Sequence, residues 1–550
     1  HRVDRRQRQM CIRDRNIAMA AIITDQFRII NANNFMKDVT SGDNSYYAFL
    51  GLANPTVSGF GRTDTWNSTT IQPPSPVDSI NYNNHVYDTM LFGRKVFPGD
   101  VRRLIRKVSW TKGTSYDMYR HDYSTTNRSL VSNSSRLYSA NYYVMNKDFR
   151  VYVCINNGSA GITTIASASL DEPGFTDLEP SAAGVSGDGY LWKYMFTVPP
   201  ADIVKFDSTE YVAVPNDWET TIDADVKVVR DNGDSTVNNN QIKVVSIDNP
   251  GRGYNFLSSP IEVDILGDGS GGKVRILTNT NGEIIQAQVT QGGQGYSYGR
   301  VDLSTINSNA TTFAKLTPII PPSLGHGFNA YKELGTDKVL IYTRFDASSY
   351  DFVPDTIFGQ VGLVRNPQAV GASGTTFLQT SEFSALKAIK FTGDTSQTLG
   401  IGTVIEQNIT GVGTARGYVA SYDIDTQVIK YFQDRTLSFN QQSYDQTDSN
   451  DVANQTPVLE FTSTANAITS TAFSVNVDTT FSGISTVTPA GKTVDLGVQF
   501  TNGIADAEIN KRSGDLIYLD NRPSITRNER QKEDIKICLL YTSDAADDLL

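Results

Sequence analysis

Cysteine and histidine are scarce in this chain, with three and four copies in 550 residues. Cys11, Cys154 and Cys538 lie far apart, so no pair has the short spacing that a zinc site requires. Cys154 stands inside the apolar run "VYVCI" and is expected to be a small buried hydrophobe. His85, His121 and His326 are widely separated and lack ligand-type neighbours, so each is expected to be a surface or internally satisfied residue. Long apolar runs are missing too, and none approaches the roughly 20 residues of a membrane-spanning helix. Basic residues are outnumbered by acidic ones, 48 to 59, for a formal net charge of −11. That balance argues against broad electrostatic capture of DNA or RNA. Helical periodicity is rare. Its best example is "GDVRRLIRKV", where Val101, Leu104, Ile105 and Val108 share one helical face and Asp100 could cap it. Arg102, Arg103, Arg106 and Lys107 would then form either a solvated face or a contact with an acidic partner.

What is abundant is turn chemistry between short alternating runs. "KVLIYTRF" (338–345), "YVAVP" (211–215) and "QVIKYF" (427–432) read as half-buried strands. The stretch "GDGSGGKV" (267–274) raises the question of a nucleotide site, because Gly267, Gly269 and Gly272 have the G-x-G-x-x-G spacing. A phosphate loop needs a helix after its glycines to supply converging N–H groups. Here "PIEVDIL" precedes and "KVRILTN" follows, both alternating with period two, and Val274 stands where Ser or Thr would hold magnesium. The loop is therefore expected to join a β-hairpin.

The same region carries a repeat. "VSIDNPGRGY" ends at Tyr254 and "AQVTQGGQGY" at Tyr296, each placing an alternating strand before a G-x-G-Y turn. Asn281-Gly282 between two alternating runs predicts a type I′ hairpin. No nucleophile elbow is recognised, and "DNGDS" (231–235) reads as a tight turn, lacking the further ligands of a calcium loop. Asp506 and Glu508 could face one side of a strand, but spacing alone does not make them a catalytic pair. The reading assigns no catalytic, cofactor-binding or metal residue.

Both ends look foreign. "MCIRDR" (10–15) and the start of "CLLYTSDAADDLL" (538–550) are encoded by one DNA sequence and its reverse complement, which resembles a translated sequencing adapter. Residues 1–18 and 538–550 are therefore set aside, with Met19 as the expected start.

Several stretches, in order, resemble the baseplate wedge subunit of T4-like contractile-tailed phages in its long cyanophage form. They are "TDQFRIINANNF" (24–35, similar to that family's N-terminal strand), "PPSPVDS" (73–79), "VSWTKGTSYDMY" (108–119) and "DGYLWKYMFTVPPADIVKFDSTEYVAVPNDW" (188–218). "FGQVGLVRNP" (358–367), "RSGDLIYLDNRPSI" (512–525) and a terminal strand "EDIKI" (533–537) continue the series. The resemblance implies a mainly β, multi-domain, β-sandwich-like protein with few short helices and inserted small β modules. The expected divisions are 19–225 for the N-terminal wedge domain, 226–325 for a module with the G-x-G-Y repeats and 326–375 for the wedge domain resumed. A second inserted β domain follows over 376–500, and wedge-domain strands over 501–537. It also implies a non-enzymatic homodimer that joins other wedge proteins in the virion tail baseplate after assembly in the host cytoplasm. No nucleic acid, membrane, small-molecule substrate or cofactor is expected. "NSYYAF" (44–49) and "RLYSANYYVMN" (136–146) could supply interface anchors, or could be core. Two rival readings are a tail-fibre or adhesin-like receptor-binding protein, which would show longer repeat arrays, and a polysaccharide-degrading tail enzyme, which would show paired acids in a cleft.

Overall fold

The structure, a computed structural model, describes residues 24–52, 86–158, 167–216, 218–220, 223–233, 240–306, 310–346, 357–371, 376–392, 399–400, 402–433, 459–464, 467–470, 473–511, 513–526 and 531–540. The described residues fall in two compact units. One is drawn from His1–Met36, Arg102–Leu340 and Cys538–Leu550, the other from Lys37–Val101 and Ile341–Ile537. Both are mainly β, as the alternating runs predict.

In the first unit a three-stranded sheet of Tyr143–Met145, Arg150–Asn157 and Tyr190–Thr197 carries the main core. Val151 to Ile155 are buried without a break, so this sheet is covered on both faces. Aromatic rings fill the space. Tyr190 stacks on Trp192 at 5.3 Å between centroids, and Tyr116 meets Trp192 edge-on at 5.9 Å. Trp218, also fully buried, donates its indole N–H to the carbonyls of Gly327 (3.1 Å) and Phe328 (3.0 Å). Tyr142 and Tyr143 lie in this core, and the Tyr142 hydroxyl donates to Glu333 O. In the second unit the strand Tyr46–Gly51 is buried at all six positions. Both tyrosine-rich stretches therefore contribute core aromatics.

Two elements differ from expectation. The basic stretch after Asp100 is a strand, Val101–Arg106, pairing antiparallel with Tyr211–Val214. Asp100 itself ends a 3-10 turn, Pro98–Asp100. The helical reading failed because it sent the cations to solvent, whereas each is bound within the chain. Arg102 pairs with Asp202 (2.8 Å), Lys107 with Asp207 (2.8 Å), and Arg106 donates to Ala140 O (2.8 Å). Arg103 is buried, donates to Asn33 Oδ1 (2.7 Å), and lies 3.9 Å from the Tyr331 ring centre. Conversely, "DQFRIINANNF", likened to an N-terminal strand, begins the helix Asp25–Ser41. Its buried positions Ile29, Ala32, Met36 and Val39 are three or four residues apart.

The remainder of the first unit is a small module with its own core, including Ile247, Tyr254, Val263, Ile276, Tyr296 and Val301. Its four-stranded sheet has the order Ile284–Gln294, Ser270–Thr278, Ile261–Gly267, Gly299–Val301, while Val245–Asn249 pairs separately with Lys315–Pro318. The hairpin at Asn281-Gly282 forms, but not as type I′. Only Gly282 has positive φ (+68°), and its N–H bonds to Asn279 O (3.0 Å). This is a four-residue turn over 279–282 closed by a left-handed glycine.

The second unit contains an antiparallel sheet ordered Glu382–Ser384, Met90–Lys95, Tyr46–Gly51, Ile357–Arg365, Asp515–Thr526. Glycines receive rings from adjoining strands: a Cβ on Gly93 would lie 2.2 Å from Phe383 Cζ, and one on Gly362 2.2 Å from Phe49 Cζ. A second sheet closes on itself in the order Lys387–Thr392, Val428–Phe432, Gly413–Asp423, Val404–Ile409, Ile468–Thr469, Ser474–Val477, then Lys387–Thr392 again. Closure removes the free edges, and Ile389, Phe391, Ile405, Val419 and Tyr431 belong to its core. The closing strand, expected over 533–537, runs Glu533–Leu540 and takes in Cys538.

Candidate functional site

The glycine-rich loop that suggested a nucleotide is a tyrosine cradle. It joins the antiparallel strands Ile261–Gly267 and Ser270–Thr278, so its amides lead into a ladder. A Cβ on Gly269 would sit 2.5 Å from Tyr296 Cγ, and one on Gly272 would sit 2.7 Å from Tyr296 Oη. The Tyr296 hydroxyl accepts from Gly272 N (3.0 Å) and donates to Ile265 O (2.9 Å). The G-x-G-Y repeat has the same logic. Gly251 and Gly253 have φ of +67° and +81°, and Gly293 and Gly295 of +62° and +76°. A Cβ on Gly251 would strike Tyr254 Cε2 at 2.6 Å, as one on Gly293 would strike Tyr296 Cε2 at 2.7 Å. Each tyrosine folds back over its own turn, which only glycine leaves open.

Sequence reading overlooked one motif. Gly295-Tyr296-Ser297-Tyr298-Gly299 has the G-x-S-x-G spacing of a nucleophile elbow. The structure gives it another role. No helix follows Ser297; the strand Gly299–Val301 does. Its hydroxyl and N–H both bond to Asp268, which also accepts from Tyr298 N (3.2 Å) and is held down near pH 2, chiefly by those serine bonds.

The other singled-out residues do not converge. Cys154 is fully buried mid-strand, and burial pushes its thiol well above the usual range. The His121 ring accepts from Ile320 N (3.1 Å), with burial lowering its pKa. His326 is buried, 2.6 Å from Glu333 Oε1 and edge-on to Tyr119. His85 and the 73–79 loop lie outside the described residues. Asp506 and Glu508 follow the strand Ile504–Ala505 instead of occupying it, and Glu508 accepts from Ser384 N (2.7 Å). Asp231, Asn232 and Gly233 form the last turn of the helix Ala224–Gly233 and not the expected tight turn, and Asp234 and Ser235 lie outside the described residues. Among the described residues, no three His, Cys, Asp or Glu side chains are grouped to hold a metal.

The built polar site is instead the junction where the module meets the main core of its unit. Arg120 clamps Asp122 through Nε and Nη2 (2.8 Å each), and also reaches Asp248 (3.2 Å) and Ser246 (3.1 Å). Asp248 further accepts from Thr317 (2.8 Å) and pairs with Lys315 (3.1 Å). Burial raises the Asp248 carboxyl, but the Arg120 charge and the surrounding donors more than reverse this and hold it below the ordinary range. A group so depressed stabilises the fold above its unfolded pKa, and this contribution is lost as pH falls through the folded value. Asp248→Ala is expected to lose about 1–3 kcal/mol at pH 7, with a deficit that shrinks below about pH 4. Paired urea titrations at pH 7 and pH 3.5 check both parts. Beside this lock lies a cleft of about 280 Å³, lined by Met118, Asn156, Leu191, residues 243–247 and residues 285–289.

Residues 21–248 match the sequence model of the family Phage-Gp8, described as bacteriophage T4 Gp8. The chain is also similar to the baseplate wedge protein gp8 of Enterobacteria phage T4, 26% identical over 223 residues, which cover 37% of this chain and 63% of that protein. The match thus spans less than two thirds of the relative's length. The family match over 21–248 takes in the three-stranded aromatic sheet and ends inside the strand Val245–Asn249, shortly after the module begins. Over residues 21–248 the chain carries the sequence pattern of the Phage-Gp8 family, and the likeness to a baseplate wedge subunit rests on that match and on the T4 relative.

Proposed function

We propose that the whole chain is a structural subunit of a phage tail baseplate wedge, acting through protein–protein contacts in tail assembly and contraction. The observation that carries this reading is the match over 21–248, which takes in most of the aromatic core of the first unit. The protein acts without catalysis, as a homodimer docked on other wedge proteins, in the virion tail baseplate after assembly in the host cytoplasm. The first insertion begins later than the expected residue 226, because the helix Ala224–Gly233 places Val226 and Val229 in the main core. The β segments from about residue 240 to 325 and over 376–500 are insertions that enlarge its surface. An obligate dimer of this kind buries on the order of 2,000–5,000 Å², so light scattering at micromolar concentration is expected to give the dimer mass. A monomer would remove the dimer from the proposal. Failure to co-assemble with the other wedge proteins of the same genome would remove the wedge role itself.

A further inference from the structure

The module joins the rest of its unit through a narrow neck. The chain enters along Val245–Asn249 and leaves along Lys315–Pro318, which pair antiparallel. The pairing carries on one step further, where Ile319 N donates to Val244 O (2.9 Å). Side chains of the neck divide between two cores: Val244 and Ile319 belong to the aromatic core, whereas Ile242, Val245 and Ile320 belong to the module. The passage from one core to the other is thus two strands wide. Beside the neck, the cleft of about 280 Å³ is walled by Met118, Asn156 and Leu191 on the side of the aromatic core and by residues 285–289 of the module. That volume is many times the ~10–15 Å³ that one water needs. Asn156, Gln286 and Gln288 make its walls partly polar, so the two bodies do not meet there in dry close packing.

Polar bonds cross from one body to the other. Arg120 follows Tyr119 of the aromatic core, and Asp122 fixes its guanidinium through Nε and Nη2 (2.8 Å each). A planar fork held on one side offers its remaining nitrogen in one orientation, and Nη1 meets Ser246 (3.1 Å) and Asp248 (3.2 Å) of the module. The neighbouring His121 ring accepts from Ile320 N (3.1 Å). Lys243 pairs with Glu179 (2.7 Å), but that carboxylate is exposed and such a pair holds little. Bodies joined through a small polar contact move relative to each other unless something fixes them, and hinges sit at a few residues where elements end. We propose that the module is a hinged arm, which turns about the neck at Val244 and Ile319 and is held against the aromatic core by the Arg120 clamp. It turns as a rigid body, because its core and its four-stranded sheet are self-contained. Release of Arg120 frees the turn and changes the width of the cleft. The hinge belongs to a single chain and is tested on the purified full chain, without the wedge partners.

Spin-label distances measure the turn. Val204, on the helix Pro200–Phe206, is exposed, as are Leu266 and Phe256 of the module. Val204→Cys is combined with Leu266→Cys in one protein and with Phe256→Cys in another, each with Cys11→Ser and Cys538→Ser. Cys154 is fully buried and stays unlabelled. Both distance distributions are expected to be single and narrow in these proteins. Adding Arg120→Met is expected to broaden at least one of them about twofold or to give it a second population, while hydrogen exchange over 261–278 stays slow. Distributions that remain narrow in Arg120→Met overturn the proposal, because the neck alone then fixes the module. Distributions already broad before that change overturn it too, because the clamp then holds nothing. Faster exchange over 261–278 in Arg120→Met would mean that the module has unfolded instead of turning. Asp248→Asn, which leaves Arg120 on Asp122, is then measured in its place, and the same loss of protection there, or unchanged distances, overturns the hinge.

Discussion

Gly293→Val is expected to unfold the inserted module while the aromatic sheet of the same unit persists. Gly293 has φ of +62°, a conformation that costs an L residue about 1–2 kcal/mol, and β-branching adds to this. Crowding costs more. A Cβ would lie 2.5 Å from Ser270 O, 2.6 Å from Gly272 N and 2.7 Å from Tyr296 Cε2. Two of those atoms are backbone within the ladder that pairs Ser270 with Gln294 and Gly272 with Gly292, so relief requires breaking it. The third belongs to a fully buried ring that closes the module's core. The total is expected to reach about 4 kcal/mol or more, against a typical domain stability of about 5–15 kcal/mol. Gly271→Ala is the control. Its φ is +77°, yet the nearest atom to a Cβ is Gly293 Cα at 3.9 Å, so about 1 kcal/mol of conformational cost should remain. Limited proteolysis should cut the valine variant within 250–310 under conditions that leave the alanine variant intact. Equal losses in the two would mean that backbone conformation alone, and not the tyrosine cradle, explains the repeat.

That cradle marks how far the sequence could be read. The alternation of Ile261, Val263 and Ile265, then Val274 and Ile276, was enough to place a hairpin around the glycines. It could not say why the loop needs three of them, because the ring that fills the space comes from Tyr296, more than twenty residues later. The same limit explains the misread strand at Val101–Arg106. Val101, Leu104 and Ile105 fit a helix face as well as a strand covered on both sides, and the deciding fact is a buried arginine. Arg103 is accommodated by Asn33 and Tyr331, both distant in sequence. The helix Asp25–Ser41 was missed for the opposite reason. Its buried stripe of Ile29, Ala32, Met36 and Val39 is diluted by asparagines, so local hydropathy hardly reports it. At Asn281-Gly282 the hairpin was legible and its turn type was not, since Gly282 supplies the left-handed residue without Asn281 joining it.

Lys193→Met is expected to stabilise the chain at pH 7. Lys193 stands on Tyr190–Thr197, an outer strand of the three-stranded aromatic sheet, and is only 2% exposed. Burial lowers its amine to about 8, although Glu333 and Glu179 pull it back up. The depression from 10.5 to about 8 means that the charged form is disfavoured in the fold by roughly 3 kcal/mol at about 1.4 kcal/mol per pH unit. Between those two values the unfolded chain binds a proton that the folded chain does not, so wild-type stability rises with pH across that window. Methionine keeps the length of the side chain and removes the charge. Its partners remain satisfied: Leu178 O, which accepts from the lysine, also accepts from Asn232 Nδ2 (3.0 Å), and Glu333 keeps Gly327 N (2.7 Å) and His326. The variant should therefore gain about 2–3 kcal/mol at pH 7, and the gain should fade as pH approaches 10.5. Urea titrations of both proteins at pH 7, 8, 9 and 10 measure the difference free of the other titrating groups they share. A gain that does not change with pH would trace to packing instead of charge. A loss of several kcal/mol at pH 7 would mean that attraction to Glu333 and Glu179 outweighs desolvation, and that this lysine stabilises the aromatic core as a cation.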